Sequence, residues 1–220
     1  MSRAREIAER LAEVRGRIAD AARRAGRDPA GVTLVAVTKT KPLDDLLDAY
    51  AAGVRDFGEN RVQEAEAKFP SLPADAVRHL IGPIQSNKAN RAARLGDVLH
   101  AVDTADLARR LDRAAAQAGR RLSVYVEVNT GGEATKAGVA PEAAEELVTR
   151  VRALAALDLE GLMAIPPPGA TRPHFVLLRE LAARLGLSGL SMGMSDDYEA
   201  AVEEGATAVR VGTALFGTRG

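Results

Sequence analysis

Lys39 closes a short β-rich run, Thr33-Leu-Val-Ala-Val-Thr-Lys39, in a chain with five lysines against twenty-five arginines. Arginine supplies the ordinary surface charge, so a lysine at a strand end calls for a separate reason. Arginine cannot lose its proton in a protein. A lysine ammonium partly desolvated at a strand end can, and the free amine is a nucleophile toward carbonyls. A lysine that merely snorkels at a barrel rim is the plainer alternative. The other places where β-rich runs end weigh on the choice, because chemistry-bearing residues collect there: Lys41, Gly58-Glu59-Asn60, His79, Gly82 to Lys88, Asn129 with Lys136 beyond it, Met163-Ala164-Ile165, Ser191 to Asp197, and Arg210-Val-Gly212-Thr213.

The last two stretches have the character of a phosphate site. Ser195 precedes an Ala-rich helical segment and is expected to cap it. Gly212-Thr213 leaves a β-rich run with backbone N–H groups under little steric cover. Asp196 and Asp197 would repel a phosphate unless they point away along the helix. A carbonyl-reactive lysine beside a phosphate site allows two chemistries: a Schiff-base aldolase acting on a sugar phosphate, or pyridoxal 5′-phosphate (PLP), an aldehyde that carries its own phosphate. Arg210 bears on this choice. A cation beside a pyridine nitrogen keeps that nitrogen unprotonated and weakens the ring as an electron sink. No metal-ligand spacing stands out, since there is no Cys and His79, His100 and His174 lie far apart in the sequence.

The elements that must position these residues are legible as a rhythm. β-rich runs occur at 33–38, 54–57, 77–81, 98–102, 123–128, 159–165, 189–192 and 208–211. Helical Ala/Leu/Glu/Arg segments lie between them, at 43–52, 105–118, 141–153 and 174–185 among others. Such alternation implies a parallel sheet, and eight units close into an α/β fold of the (β/α)8 TIM-barrel type, whose functional residues gather at the C-terminal ends of the strands. A doubly wound open sheet usually opens on G-x-G-x-x-G, and here the first turn reads Lys39-Thr-Lys-Pro42. An extra N-terminal helix is expected before the first strand, with Ile7, Leu11, Val14 and Ile18 on one face. Residues 1–220 are expected to form a single domain. The formal net charge is zero and aromatics make up 3%, which argues against nucleic acid or an anionic membrane as a partner. The absence of Cys suits a cytoplasmic protein.

Six segments then resemble, in order, the pyridoxal phosphate homeostasis protein family: V-T-K-T-K-P (37–42), F-G-E-N-R-V-Q-E (57–64), H-L-I-G-P-I-Q-S-N-K (79–88), G-L-M-A-I-P (161–166), S-M-G-M-S-D-D (191–197) and V-R-V-G-T-A-L-F-G (209–217). The resemblance covers nearly the whole chain. It implies an alanine-racemase-like barrel with PLP held as a Schiff base on Lys39. Asn60 would lie by the ring, Ser195, Gly212 and Thr213 would hold the phosphate, and Arg210 would face the pyridine nitrogen. Lys136 matches the family's second lysine, associated with PLP handling outside the main linkage. His79 is a secondary candidate, since a His within a strand is more often a core residue. The helix after the sixth strand is expected to be trimmed, because 168–189 is short for the family.

A racemase of this fold needs proton-transfer groups on both faces of the substrate α-carbon. Tyr50, Tyr125 and Tyr198 are all poorly placed in sequence for that role, and no substrate-covering second domain is expected. The resemblance therefore implies a monomeric PLP carrier without turnover, with PLP-dependent apo-enzymes as candidate recipients. A fold-type III PLP-dependent racemase is the alternative.

Overall fold

The computed structural model describes residues 2–133 and 135–217. Eight strands, β1 (Thr33–Val37), β2 (Asp56–Glu59), β3 (Val77–Leu80), β4 (Val98–Val102), β5 (Leu122–Glu127), β6 (Leu157–Met163), β7 (Gly189–Met194) and β8 (Ala208–Val211), pair in parallel and in sequence order. The ring closes where Thr33 to Ala36 of β1 register with Ala208 to Val211 of β8. The helices are α1 (Arg3–Arg24), α2 (Leu43–Ala51), α3 (Val62–Lys68), α4 (Ala89–Leu95), α5 (Ala105–Gln117), α6 (Ala144–Arg152), α7 (Arg172–Arg184), α8 (Tyr198–Glu203) and α9 (Thr213–Phe216). The expected barrel and N-terminal helix are both present. The expectation of a trimmed helix after the sixth strand fails: α7 has thirteen residues, as many as α5.

Ile7, Leu11, Val14 and Ile18 are all buried on one side of α1, which packs on α2, α8 and α9. Burying each such side chain contributes about 1.5–3 kcal/mol, enough to dock a helix whose outer face is charged. Arg3 fixes its start, donating to the buried Asp45 of α2 at 2.7 Å and to the Phe216 carbonyl of α9 at 2.7 Å.

Alternation along the strands sorts the side chains into two layers. Leu34, Ala36, Phe57, Leu80, Leu99, Leu162, Val209 and Val211 face the helices in one continuous core. The interior holds two small apolar clusters instead, Val35–Val37–Ile81 and Ala101–Tyr125–Met163. Polar side chains fill the space between them: His79, His100, Glu127, Ser191 and Arg210 are all buried. The pairing of β5 with β6 shifts between Val124 and Tyr125, which displaces Glu160. Gly161 and Gly189 permit this: a Cβ on Gly161 would lie 1.9 Å from the Gly189 carbonyl oxygen, and one on Gly189 would lie 2.4 Å from that of Glu160.

Candidate functional site

The loop that carries Lys39 is pinned from several sides. The Thr38 N–H donates to the Gly58 carbonyl at 2.9 Å, and the Lys41 N–H donates back to the Thr38 carbonyl at 3.0 Å. Thr40 between them sits at φ +63°, a left-handed conformation that costs a non-glycine residue about 1–2 kcal/mol. The Glu64 carboxylate offsets this by accepting from the Thr40 N–H at 2.9 Å. Behind the loop, Lys68 Nζ donates to the Thr38 carbonyl (2.9 Å) and to Glu59 Oε1 (2.8 Å), and Thr38 Oγ1 donates to the same carboxylate oxygen at 2.7 Å. Glu59 is completely buried. Burial pushes its carboxyl above the usual range, with Lys68 and Thr38 pulling back. Lys39 itself is half-buried, and among the described residues its ammonium makes no hydrogen bond or ion pair. A rigid loop thus presents an uncommitted amine at the barrel mouth.

Arg210 lies on β8, the strand beside β1. It is 3% exposed, donates to Ser191 Oγ at 2.6 Å and the Ala164 carbonyl at 3.0 Å, and keeps its remaining N–H groups for another acceptor. Burial lowers its pKa to about 10, opposed by the charges of Glu127 and Asp197, so it stays a cation at neutral pH. Across the interior, burial and the nearby Asp103 push the Glu127 carboxyl up to about 7, against the pull of Arg210. Its Oε2 has no hydrogen-bond partner among the described residues.

Ser195 corrects the sequence expectation. The cap position of α8 belongs to Asp197, and no side chain caps that helix. Ser195 Oγ instead reaches across to the loop after β8, accepting from the N–H groups of Gly212 (3.1 Å) and Ala214 (3.3 Å). The two stretches with phosphate-site character are therefore one structure. Asp197 is turned back onto its own loop, accepting from the Met194 N–H at 2.6 Å. Asn60 follows β2 and lines a groove with Gln85 and Lys88. Lys41 donates to the Gly217 carbonyl at 3.4 Å. Thr213 is exposed. Lys136 is ion-paired with Glu133 in the loop after β5, and among the described residues no contact joins it to Lys39.

His79 and His100, far apart in sequence, meet in the barrel with His79 Nδ1 2.9 Å from His100 Nε2. Sequence reasoning also missed Thr38, Glu64, Lys68 and Glu127, and it placed Ser191 among the strand-end residues without giving it a role. Thr38 sits inside the segment 37–42 and Glu64 inside 57–64, so motif membership was their available signal. Lys68, mid-chain in a charged helix, offered only the rarity of lysine.

The sequence pattern described as alanine racemase, N-terminal domain, matches residues 10–220. A pyridoxal phosphate homeostasis protein of Pseudomonas aeruginosa is 51% identical over 222 residues, spanning 97% of this chain and 96% of that protein. The chain belongs to the pyridoxal phosphate homeostasis family. The family member of Escherichia coli K12 is 40% identical over 227 residues, with 97% of each chain covered. PipY of Synechococcus elongatus, solved with PLP bound, superposes with a TM-score of 0.83 at 41% identity, covering 96% of this chain and all of that one. Alanine racemase of Corynebacterium glutamicum, at 18% identity and a TM-score of 0.72 over 61% of its chain, shares the barrel fold.

Proposed function

We propose that this chain holds PLP at the C-terminal mouth of its barrel and takes part in PLP homeostasis as a carrier, without turning over a substrate. The observation that carries the reading is an uncommitted Lys39 amine in the loop that leaves β1, together with a buried Arg210 cation on the neighbouring strand β8. PLP, when bound, supplies an aldehyde with which an amine condenses reversibly. The residues present fit it: Lys39 is the amine, and Arg210 offers spare N–H donors to the ring nitrogen. Ser195 and Thr213 would offer a hydroxyl and a backbone N–H to the phosphate, Gly212 would hold that hydroxyl in place through its own N–H, and Asn60 would lie by the ring. Arg210, which stays charged, holds any proton on itself rather than on the ring nitrogen. That favours storage over carbanion chemistry.

The tyrosines support the same reading. Tyr125 stacks on His100 inside the barrel, with centroids 4.8 Å apart. Tyr198 is buried beneath Arg17. Tyr50 is bonded to Asp75 at 2.5 Å, at the other end of α2 from the mouth. Among the described residues none of the three makes a hydrogen bond to Lys39. In this reading residues 1–220 act as one monomeric domain, and PLP-dependent apo-enzymes receive the cofactor by exchange at Lys39. Among the described residues no helix is long and apolar enough to cross a membrane.

The test is α-proton exchange of alanine in D2O with PLP-loaded protein. The carrier reading expects a rate no greater than that of the same concentration of free PLP. A faster rate that is lost in Glu127→Gln, whose carboxyl is pushed up to about 7, would instead establish an amino-acid racemase chemistry.

A further inference from the structure

Five polar side chains cross the barrel interior in one unbroken line. Asp56 Oδ1 lies 3.0 Å from His79 Nε2, His79 Nδ1 lies 2.9 Å from His100 Nε2, and His100 Nδ1 lies 2.7 Å from Ser191 Oγ. Arg210 Nη1 completes it at 2.6 Å from the same hydroxyl. The ends favour one polarity for the protons between them. A guanidinium only donates, so Ser191 Oγ accepts from Arg210 and its own proton goes to His100 Nδ1. His100 must then carry its proton on Nε2 and donate to His79 Nδ1, and His79 must donate from Nε2 to Asp56, which as a carboxylate only accepts. In this polarity both rings carry their proton on Nε2, and every dipole points from the cation to the anion. The reverse polarity, with His100 donating to Ser191, would leave the buried serine proton without an acceptor among the described residues. Burial and the nearby His79 and Arg210 hold His100 well below its usual range, which agrees with a neutral ring. Stacking against Tyr125 keeps its plane in place.

The line joins the two ends of the barrel. Asp56 is the first residue of β2, and it lines a cleft at the N-terminal rim together with Pro29, Thr33 and Arg55. Its side chain is 26% exposed, whereas that of His79 is 5%. We propose that Asp56, His79, His100 and Ser191 are positioning residues for Arg210: they hold its guanidinium in one orientation toward the cofactor's ring nitrogen and couple the charge of Asp56, at the opposite rim, to that contact. What Arg210 faces rests on the PLP reading. The orientation of the line does not. Aligned hydrogen bonds polarise one another at low dielectric, so the charge at Asp56 strengthens the pull on the guanidinium.

The test has two arms. In apo-protein, ¹⁵N NMR of the imidazoles should show His79 and His100 each protonated at Nε2 and bare at Nδ1. An imidazolium or an Nδ1–H tautomer on either ring overturns the proposal. In PLP-titrated protein, Ser191→Ala should weaken PLP binding about tenfold, the loss of a hydrogen bond to a charged group worth ~1.4 kcal/mol, and displace the visible band. Asp56→Ala should do the same to a smaller degree. Asp56→Asn, which keeps an acceptor for His79 but not the charge, should fall between Asp56→Ala and wild type. Thermal melts screen each variant for folding, and partly exposed Asp56 leaves at least Asp56→Asn folded. Unchanged affinity and band position in the folded variants overturn the coupling. Wild type without a visible band, but with both rings as Nε2–H, would overturn the PLP reading while supporting the orientation of the line.

Discussion

Lys68→Met is expected to destabilise the protein by about 3–5 kcal/mol at neutral pH, with most of the loss recovered on acidification. Glu59 is completely buried, and its described partners are Lys68 and Thr38. Methionine keeps much of the aliphatic stem of Lys68 but removes the cation, leaving a carboxylate in the wall between β1, β2 and α3 with one hydroxyl for support. Burial already raises the Glu59 carboxyl above its usual range with Lys68 present. Without it the folded value rises further, while the unfolded value stays ordinary. The native state then binds more protons than the unfolded chain between those two values, so stability falls as pH rises through that window and returns as pH drops below it. Urea unfolding of wild type and variant across the acid to neutral range measures both. A pH-independent deficit below about 1 kcal/mol would mean that the pair is a solvated surface bridge. Because Lys68 also holds the Thr38 carbonyl, the variant should weaken PLP binding through the Lys39 loop as well.

The second large effect is steric. Gly161→Ala should cost on the order of 4 kcal/mol or more, or yield no folded protein. A new Cβ would meet the Gly189 carbonyl oxygen at 1.9 Å and its carbon at 2.4 Å. These are backbone atoms of the paired strand, and they can retreat only by parting β6 from β7. That would also displace Tyr125 and Ser191, which flank His100. Gly16→Ala is the counterpart: Gly16 lies within α1 with nothing within 4 Å of a new Cβ, so it should stabilise by about 0.5–1 kcal/mol through helix propensity. Thermal melts of the two variants beside wild type measure both effects. A Gly161→Ala protein as stable as wild type would show that the glycine contact between β6 and β7 is not required.

The barrel was legible because each unit of the chain repeats one physical pattern, a short β-rich run feeding an amphipathic helix, and the strand positions follow that pattern closely. The placement of Lys39, Asn60 and Arg210 at or near strand ends was legible for a related reason: residues there converge on the mouth whatever the details of packing. What escaped was set by which side chain turns where. Ser195 stands just ahead of a helical segment and obeys the cap rule in sequence, yet its hydroxyl finds the N–H groups of the next loop instead. His79 and His100 belong to successive strands, and only the register of β3 on β4, with His79 opposite Val98, together with ring orientations that no spacing rule encodes, brings their nitrogens together. Glu127 reads in sequence as an ordinary polar position in an alternating strand. Its raised pKa comes from burial in the closed barrel and from the nearby Asp103. Lys136 was singled out by motif, and the structure gives it a local partner in Glu133.

The most direct measurement is the visible absorbance of the protein titrated with PLP, wild type beside Lys39→Ala. A band of lysine-bound PLP in wild type that disappears in Lys39→Ala is the predicted result, and it fixes the cofactor and its anchor together. A wild type that stays colourless would contradict PLP binding and return a Schiff-base aldolase to consideration. A band that persists unchanged in Lys39→Ala would move the linkage to another lysine, beginning with Lys136.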